Sequence, residues 1–238
     1  MVEKNKKGVK TMLVEELRCL IDDAELYMDL MRPEGGEIRI AVLLTDSGEE
    51  ATLIVGEQME VVEGSESPDL RLTMDRSVFD SVLEGEADFG ALIGRSRMSD
   101  VRPINFQLLS PERAIAATET VKMMMTHFFN PGKVKIKRLQ AELAGEAHGA
   151  HPIPLVYWEG LRSAWITVKK GEVMNEEGER DPYPQVIVIL RGKGVFQLEE
   201  DEFNLEPNTA IYVPVNSIHK IRAEEDVEVI WLAWQAPP

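Results

Sequence analysis

At Asn130-Pro131-Gly132-Lys133 the patterning of this 238-residue chain changes, and that change limits the folds open to it more than any other feature. Before it, apolar residues recur at both helical and strand spacing. After it, from Ile153 on, short β-patterned runs alternate with turn residues and no helix intervenes. We therefore expect an α+β unit over 1–130, a linker over 131–152 and an all-β unit over 153–238. The chain is long enough for two hydrophobic cores.

Composition narrows the chemistry. The single cysteine, Cys19, rules out an internal disulfide and a Cys-rich zinc site. A net charge of −16, concentrated before residue 130, repels phosphate backbones and anionic headgroups, so no nucleic-acid partner is expected. No apolar run approaches the length of a membrane span, and the first ten residues, MVEKNKKGVK, lack the apolar stretch of a secretory leader. No membrane insertion and a cytoplasmic location are the expectations.

In the first unit, Leu13, Leu17, Leu20, Ile21, Ala24 and Tyr27 fall on one face of a helix over 12–31, stopped by Pro33 and Gly35-Gly36. Strands are predicted over 37–45, 51–55, 58–62 and 70–74 as an antiparallel meander, then helices over 76–83, capped by Asp75, and 89–95, started by Asp88. A strand over 103–109 and a helix from Ser110-Pro111 to Phe129 close the unit. On that helix Met123, Met124, Met125, Phe128 and Phe129 cover more of the circumference than one core requires.

Pro68-Asp69-Leu70-Arg71-Leu72-Thr73-Met74-Asp75, Phe79, Val82 to Asp88 and Gly90-Ala91-Leu92-Ile93-Gly94 resemble the sterol-carrier-protein family. The resemblance covers about residues 10–130, departs from the family pattern across 95–103, and implies an internal tunnel for a lipid-like ligand, with Met124 and Phe128 as lining candidates.

In the second unit, strands are predicted over 154–158, 163–168, 185–190, 194–198, 202–205, 210–213, 217–222 and 227–234, as in a barrel or jelly roll. The run Val186 to Gly194, followed by Leu205-Glu206-Pro207-Asn208 and Tyr212-Val213-Pro214-Val215-Asn216-Ser217-Ile218-His219, resembles the cupin superfamily over about 153–236. That resemblance implies a metal held by two His and a carboxylate from a first motif and one His from a second. Here the corresponding positions carry Glu179 and Asp181 (or Gly178 and Glu179), Gln185 and His219. Only His219 matches. Oxygen donors from Glu179, Asp181 and Gln185 could hold a hard divalent cation beside His219, but Pro182, Pro184 and the acidic run read as a solvated loop. No cofactor and a metal-free barrel are expected.

His148 and His151 read as exposed histidines in a loop, and His127 as a helix-terminal histidine interacting with the dipole. No Ser-His-Asp or Cys-His set and no phosphate loop can be assembled. A barrel without its metal set still has a mouth, where His219, Gln185, Tyr183, Trp165 and Tyr212 are the candidates for binding a small molecule. Trp231 and Trp234, three apart on one strand, face opposite sides. The expected function is a non-catalytic binding protein, with an apolar ligand in the first unit and a small-molecule sensing or dimer-forming barrel in the second. The alternative is an isomerase, lyase or oxygenase of small organic acids using His219 with nearby carboxylates.

Overall fold

A computed structural model describes residues 12–94, 102–158 and 160–235. Helix α1 (Met12–Ala24) buries Leu13, Val14, Leu17, Leu20 and Ala24, the spacing that defined its apolar face. It does not run on to residue 31 as expected: the chain tightens into a 3-10 turn at Glu25–Tyr27 and a single turn α2 (Met28–Met31). Tertiary anchors explain the break. The Tyr27 ring stacks on His127 at 5.5 Å, its hydroxyl accepts from the Lys135 amide at 3.1 Å, and Asp23 accepts from the Gly132 amide at 2.7 Å.

Strands β1 (Ile38–Leu44), β2 (Glu50–Val55), β3 (Met59–Glu63), β4 (Leu70–Met74) and β5 (Asn105–Leu108) form one sheet in the order β3-β2-β1-β4-β5. The antiparallel meander holds for β1 to β3 only, because β4 lies parallel to β1 on its far side. Residues 64–69 make that crossing. Thr52 Oγ1 donates to the Gly64 carbonyl at 2.7 Å and accepts from the Glu66 amide at 3.0 Å, while the Asp69 carboxylate takes the Arg39 amide at 2.9 Å. Sequence periodicity places strands but is blind to such a side-chain-guided crossover.

Helices α3 (Arg76–Leu83), α4 (Phe89–Ile93) and α5 (Ala114–His127) cover the sheet. Asp88 caps α4 through the Ala91 amide at 2.9 Å. Asp75 and Ser110 stand before their helices without a capping bond: the Asp75 carboxylate takes the Thr45 hydroxyl instead, and a 3-10 turn at Pro111–Arg113 precedes α5. The core of this unit runs from Leu13 to Phe129, with Phe89 stacked on Phe129 at 3.8 Å and Phe128 edge-on to Phe129.

The remaining strands are β6 (His151–Trp158), β7 (Leu161–Val168), β8 (Val173–Met174), β9 (Gln185–Arg191), β10 (Gly194–Leu198), β11 (Asp201–Asn204), β12 (Thr209–Val213), β13 (His219–Ala223) and β14 (Val227–Trp234). They form two sheets, ordered β12-β9-β14-β7-β6 and β11-β10-β13-β8, around a second core that includes Ile187, Ile189, Phe196, Ile221 and Val229. The β9 to β10 reversal needs glycine. Gly192 has φ +98°, and a Cβ there would lie 2.2 Å from the Asp226 carbonyl oxygen. Strand β6 is the edge of its sheet and packs on α5 and α4, bringing the Pro154 ring against Gly90, where an added Cβ would lie 3.1 Å from Pro154 Cγ. No helix among the described residues is long and apolar enough to cross a membrane.

Candidate functional site

Where α4 and α5 meet the second unit, a cavity of about 740 Å³ opens between them. On one side it is walled by Ile93 of α4, Val121 and Met125 of α5, and Phe106 of β5. The opposite wall is the inner face of the five-stranded sheet, and pleat and register decide which side chains reach it. Ala164 pairs with Trp231, and Trp231 with Ile187, so these residues form one row across β7, β14 and β9. Two residues on, Arg162 and Gln185 flank Ala233 in the next row of the same face. Arg162, Ala164, Gln185, Trp231 and, from the facing sheet, His219 all line the cavity.

The polar groups are held in place. Trp231 Nε1 donates to Gln185 Oε1 at 2.7 Å, which fixes the carboxamide and leaves its amino group as the end available to a ligand. Asn175, in a left-handed backbone conformation, donates to the carbonyls of Glu179 and His219 at 3.0 and 2.9 Å and accepts from the Glu179 amide at 3.0 Å, tying the 175–179 loop to β13. His219 Nδ1 lies 3.4 Å from the Ser217 carbonyl, and burial holds its pKa below the ordinary histidine value against the opposing pull of that carbonyl and of Asp181. Tyr157, which also lines the cavity, has its hydroxyl pKa raised by burial. The Arg162 guanidinium lies 4.8 Å from the centre of the Tyr183 ring.

Of the residues singled out from sequence, the structure brings Tyr183, Gln185 and His219 together on this cavity. The other four lie elsewhere. Tyr212 pairs with Val186, on the face opposite Gln185, and is 72% exposed. Trp165 pairs with Ile230, on the face opposite Trp231, and is buried there. Met124 and Phe128 sit in the first core with no exposed surface, because the α5 stripe turned to the cavity is Val121 and Met125. Trp231 and Trp234 do face opposite ways, one into the cavity and the other to solvent.

The histidines outside the barrel need corrections. His148 is not a free loop residue: it takes φ +56° in the turn bridging Ala147 and Ala150, lines the cavity and lies 3.4 Å from Glu179. His151 starts β6 with its Nε2 3.1 Å from Glu172. His127 ends α5, yet burial and then Lys137 and Lys135 lower its pKa, the reverse of a dipole-stabilised imidazolium.

The residues at the metal positions implied by the cupin resemblance do not fit a metal. Gln185 Oε1 is taken by Trp231, Asp181 Oδ1 by the Tyr183 amide at 2.9 Å, and Glu179 leans to His148. Among the described residues no three His, Cys, Asp or Glu side chains are grouped so that they could hold a metal ion.

Sequence reasoning missed Arg162, Tyr157 and Val121 as lining residues, while Met125 was among the five apolar residues noted on that helix. The i, i+4 spacing of Val121 and Met125 marks a shared helix face, but nothing local shows that β6 docks beside it.

A family model described as a cupin domain matches residues 164–234. No curated protein matches the chain. Similar solved structures include a cupin superfamily protein from Desulfitobacterium hafniense (17% identity, 43% of this chain and 94% of that one, TM-score 0.36). Two others are a cupin 2 conserved barrel domain protein from Salinispora arenicola (16%, 42% and 81%, 0.33) and KdgF from Halomonas sp. (22%, 37% and 82%, 0.33). Ala164, Gln185, His219 and Trp231 of the cavity wall fall within the matched stretch, whereas Arg162 and the β6 residues lie just before it; the match supports a cupin domain at 164–234.

Proposed function

We propose that this is a small-molecule binding protein whose ligand occupies the cavity between the two units. The cavity itself carries the reading: its volume is that of typical ligand sites, its walls are largely apolar, and a few fixed polar groups converge on it. The ligand moves accordingly from a tunnel inside the first unit to the shared space, with the barrel contributing Tyr183, Gln185 and His219 and α5 contributing Val121 and Met125. We keep the sterol-carrier-like assignment for 1–130, supported by the element order of helix, strands, two short helices, strand and terminal helix. We also keep the linker over 131–152 and the barrel unit over 153–238, supported by two separate clusters of buried apolar residues. A cytoplasmic location and a homodimer through the barrel belong to the same proposal. The exposed Leu190, Tyr212 and Trp234 of the outer sheet face support the dimer.

Titration with 1-anilinonaphthalene-8-sulfonate tests the reading. One saturable site is expected, weakened at least about tenfold by Ala164→Leu, which fills the cavity from the barrel wall. Absence of saturable binding, or binding untouched by both Ala164→Leu and Met125→Trp, overturns it.

A second reading has one observation in its favour: Glu179, Asp181 and His219, its ring held neutral by burial, line the same cavity, a set able to move protons on a small organic acid. Elemental analysis of the purified protein addresses its oxygenase version, which requires a stoichiometric metal that the donor set does not favour.

A further inference from the structure

The charges around the cavity run against those of the whole molecule. The chain has 26 Lys and Arg against 42 Asp and Glu, yet among the described residues the lining holds Arg102, Lys122, Arg162 and Arg180 against Glu179 and Asp181. Two of the four cations are occupied, Lys122 by Glu119 and Arg180 by Glu199 at 2.8 Å. Arg102 rests over the Phe106 ring and Arg162 over the Tyr183 ring, and among the described residues neither has a carboxylate partner.

Arg162 is the better placed of the two. Register puts Arg162, Ala233 and Gln185 in one row on the inner face of three adjacent strands, so the two long side chains flank a small buried one across about 10 Å. The Arg162 guanidinium leans toward Tyr183, two residues before Gln185. With Gln185 Oε1 taken by Trp231, what this corner offers is the guanidinium N–H groups and the carboxamide amino group. It presents donors with little competing acceptor among the described residues, beside an apolar space bounded by Val121, Met125 and Ile166. A planar carboxylate matches such a corner, because it accepts the forked N–H pair of arginine.

Resting on the binding function proposed above, we infer that the ligand is an amphipathic carboxylate, its anionic head seated between Arg162 and Gln185 and its apolar body lying against α5. A neutral apolar compound of the same shape loses the head contacts and leaves the guanidinium and the amino group without an acceptor in a partly dry site.

Calorimetric titration with 2-naphthoate and with the neutral 2-naphthalenemethanol tests this. The carboxylate is expected to bind at least about tenfold more tightly. Arg162→Met should remove most of that preference. Gln185→Met gives an independent variant should Arg162→Met fold poorly, with circular dichroism melting as the check on each. Equal binding of the two compounds, or a preference that survives both substitutions, overturns the inference and leaves the cavity reading intact. Failure of both naphthyl compounds while 1-anilinonaphthalene-8-sulfonate still binds also counts against the carboxylate alone. Failure of all three overturns both readings.

Discussion

The two cores of this molecule are built to different ends. The first buries its large side chains completely: Phe79, Phe89, Phe128 and Leu13 have at most 1% exposure, and its ring pairs interlock. The polar groups buried in the first unit, such as Thr52 and Asp69, hold its own strand crossover, whereas in the barrel Asn175, Gln185 and His219, each below a tenth exposed and each tied to a named partner, are buried beside the cavity. A close-packed core has no room for a ligand, whereas buried and hydrogen-bonded polar groups beside a void are what recognition requires. The first unit therefore serves the site from outside its own core, through the α5 stripe of Val121 and Met125.

That contrast can be broken experimentally, and the largest effect belongs to the first core. Phe128→Ala removes a fully buried ring and should cost about 3–5 kcal/mol in chemical denaturation, with ligand binding retained wherever the protein remains folded. Gln185→Leu leaves the partly buried Trp231 indole N–H without its acceptor and should cost about 1 kcal/mol, and it should also lower affinity for the carboxylate probe. A Gln185→Leu protein that loses stability but binds 2-naphthoate normally would separate the structural role of this residue from its binding role.

Acidification sharpens the comparison by a smaller amount. His219 and His127 both have pKa values lowered in the folded state, chiefly by burial, so the unfolded chain takes up their protons first. The stability they contribute is complete above the unfolded histidine pKa of about 6.5 and is lost as pH falls below it toward the lowered folded values. His219→Gln should flatten that part of the stability profile, and an unchanged slope would mean that His219 is not held neutral. Tyr212→Ser, on the exposed outer face, should change monomer stability by no more than about 0.5 kcal/mol. Sedimentation of the same variant tests the dimer, which should weaken if that face joins two copies.

Much of the local structure was legible from sequence. The strands at Leu70–Met74 and Val227–Trp234 and the helix at Arg76–Leu83 fall on the residues expected, because alternation and helical spacing are strong there and turn residues bound them. What was not legible is tertiary. The parallel β1–β4 pairing depends on a crossover held by Thr52 and Asp69, and the break after Ala24 depends on Tyr27 reaching His127 and the 130–135 segment. The same limit divided the site. Gln185 and His219 line the cavity at the positions the barrel motif indicated and Tyr183 lies beside them, whereas Tyr212 and Trp165 lie on the opposite face of the sheet. On α5, an almost continuous apolar surface gave no sign of which stripe meets the core, so Met124 and Phe128 were named where Val121 and Met125 stand.

The central claim is that one cavity shared by the two units binds the ligand. A crystal of the protein soaked with 6-bromo-2-naphthoate tests it most directly, since bromine is located by its anomalous signal without reference to any other atom. The account predicts a bromine peak between Met125 and Trp231 with the carboxylate at Arg162. A peak confined to the outer surface, or inside the first core away from the barrel, would contradict it.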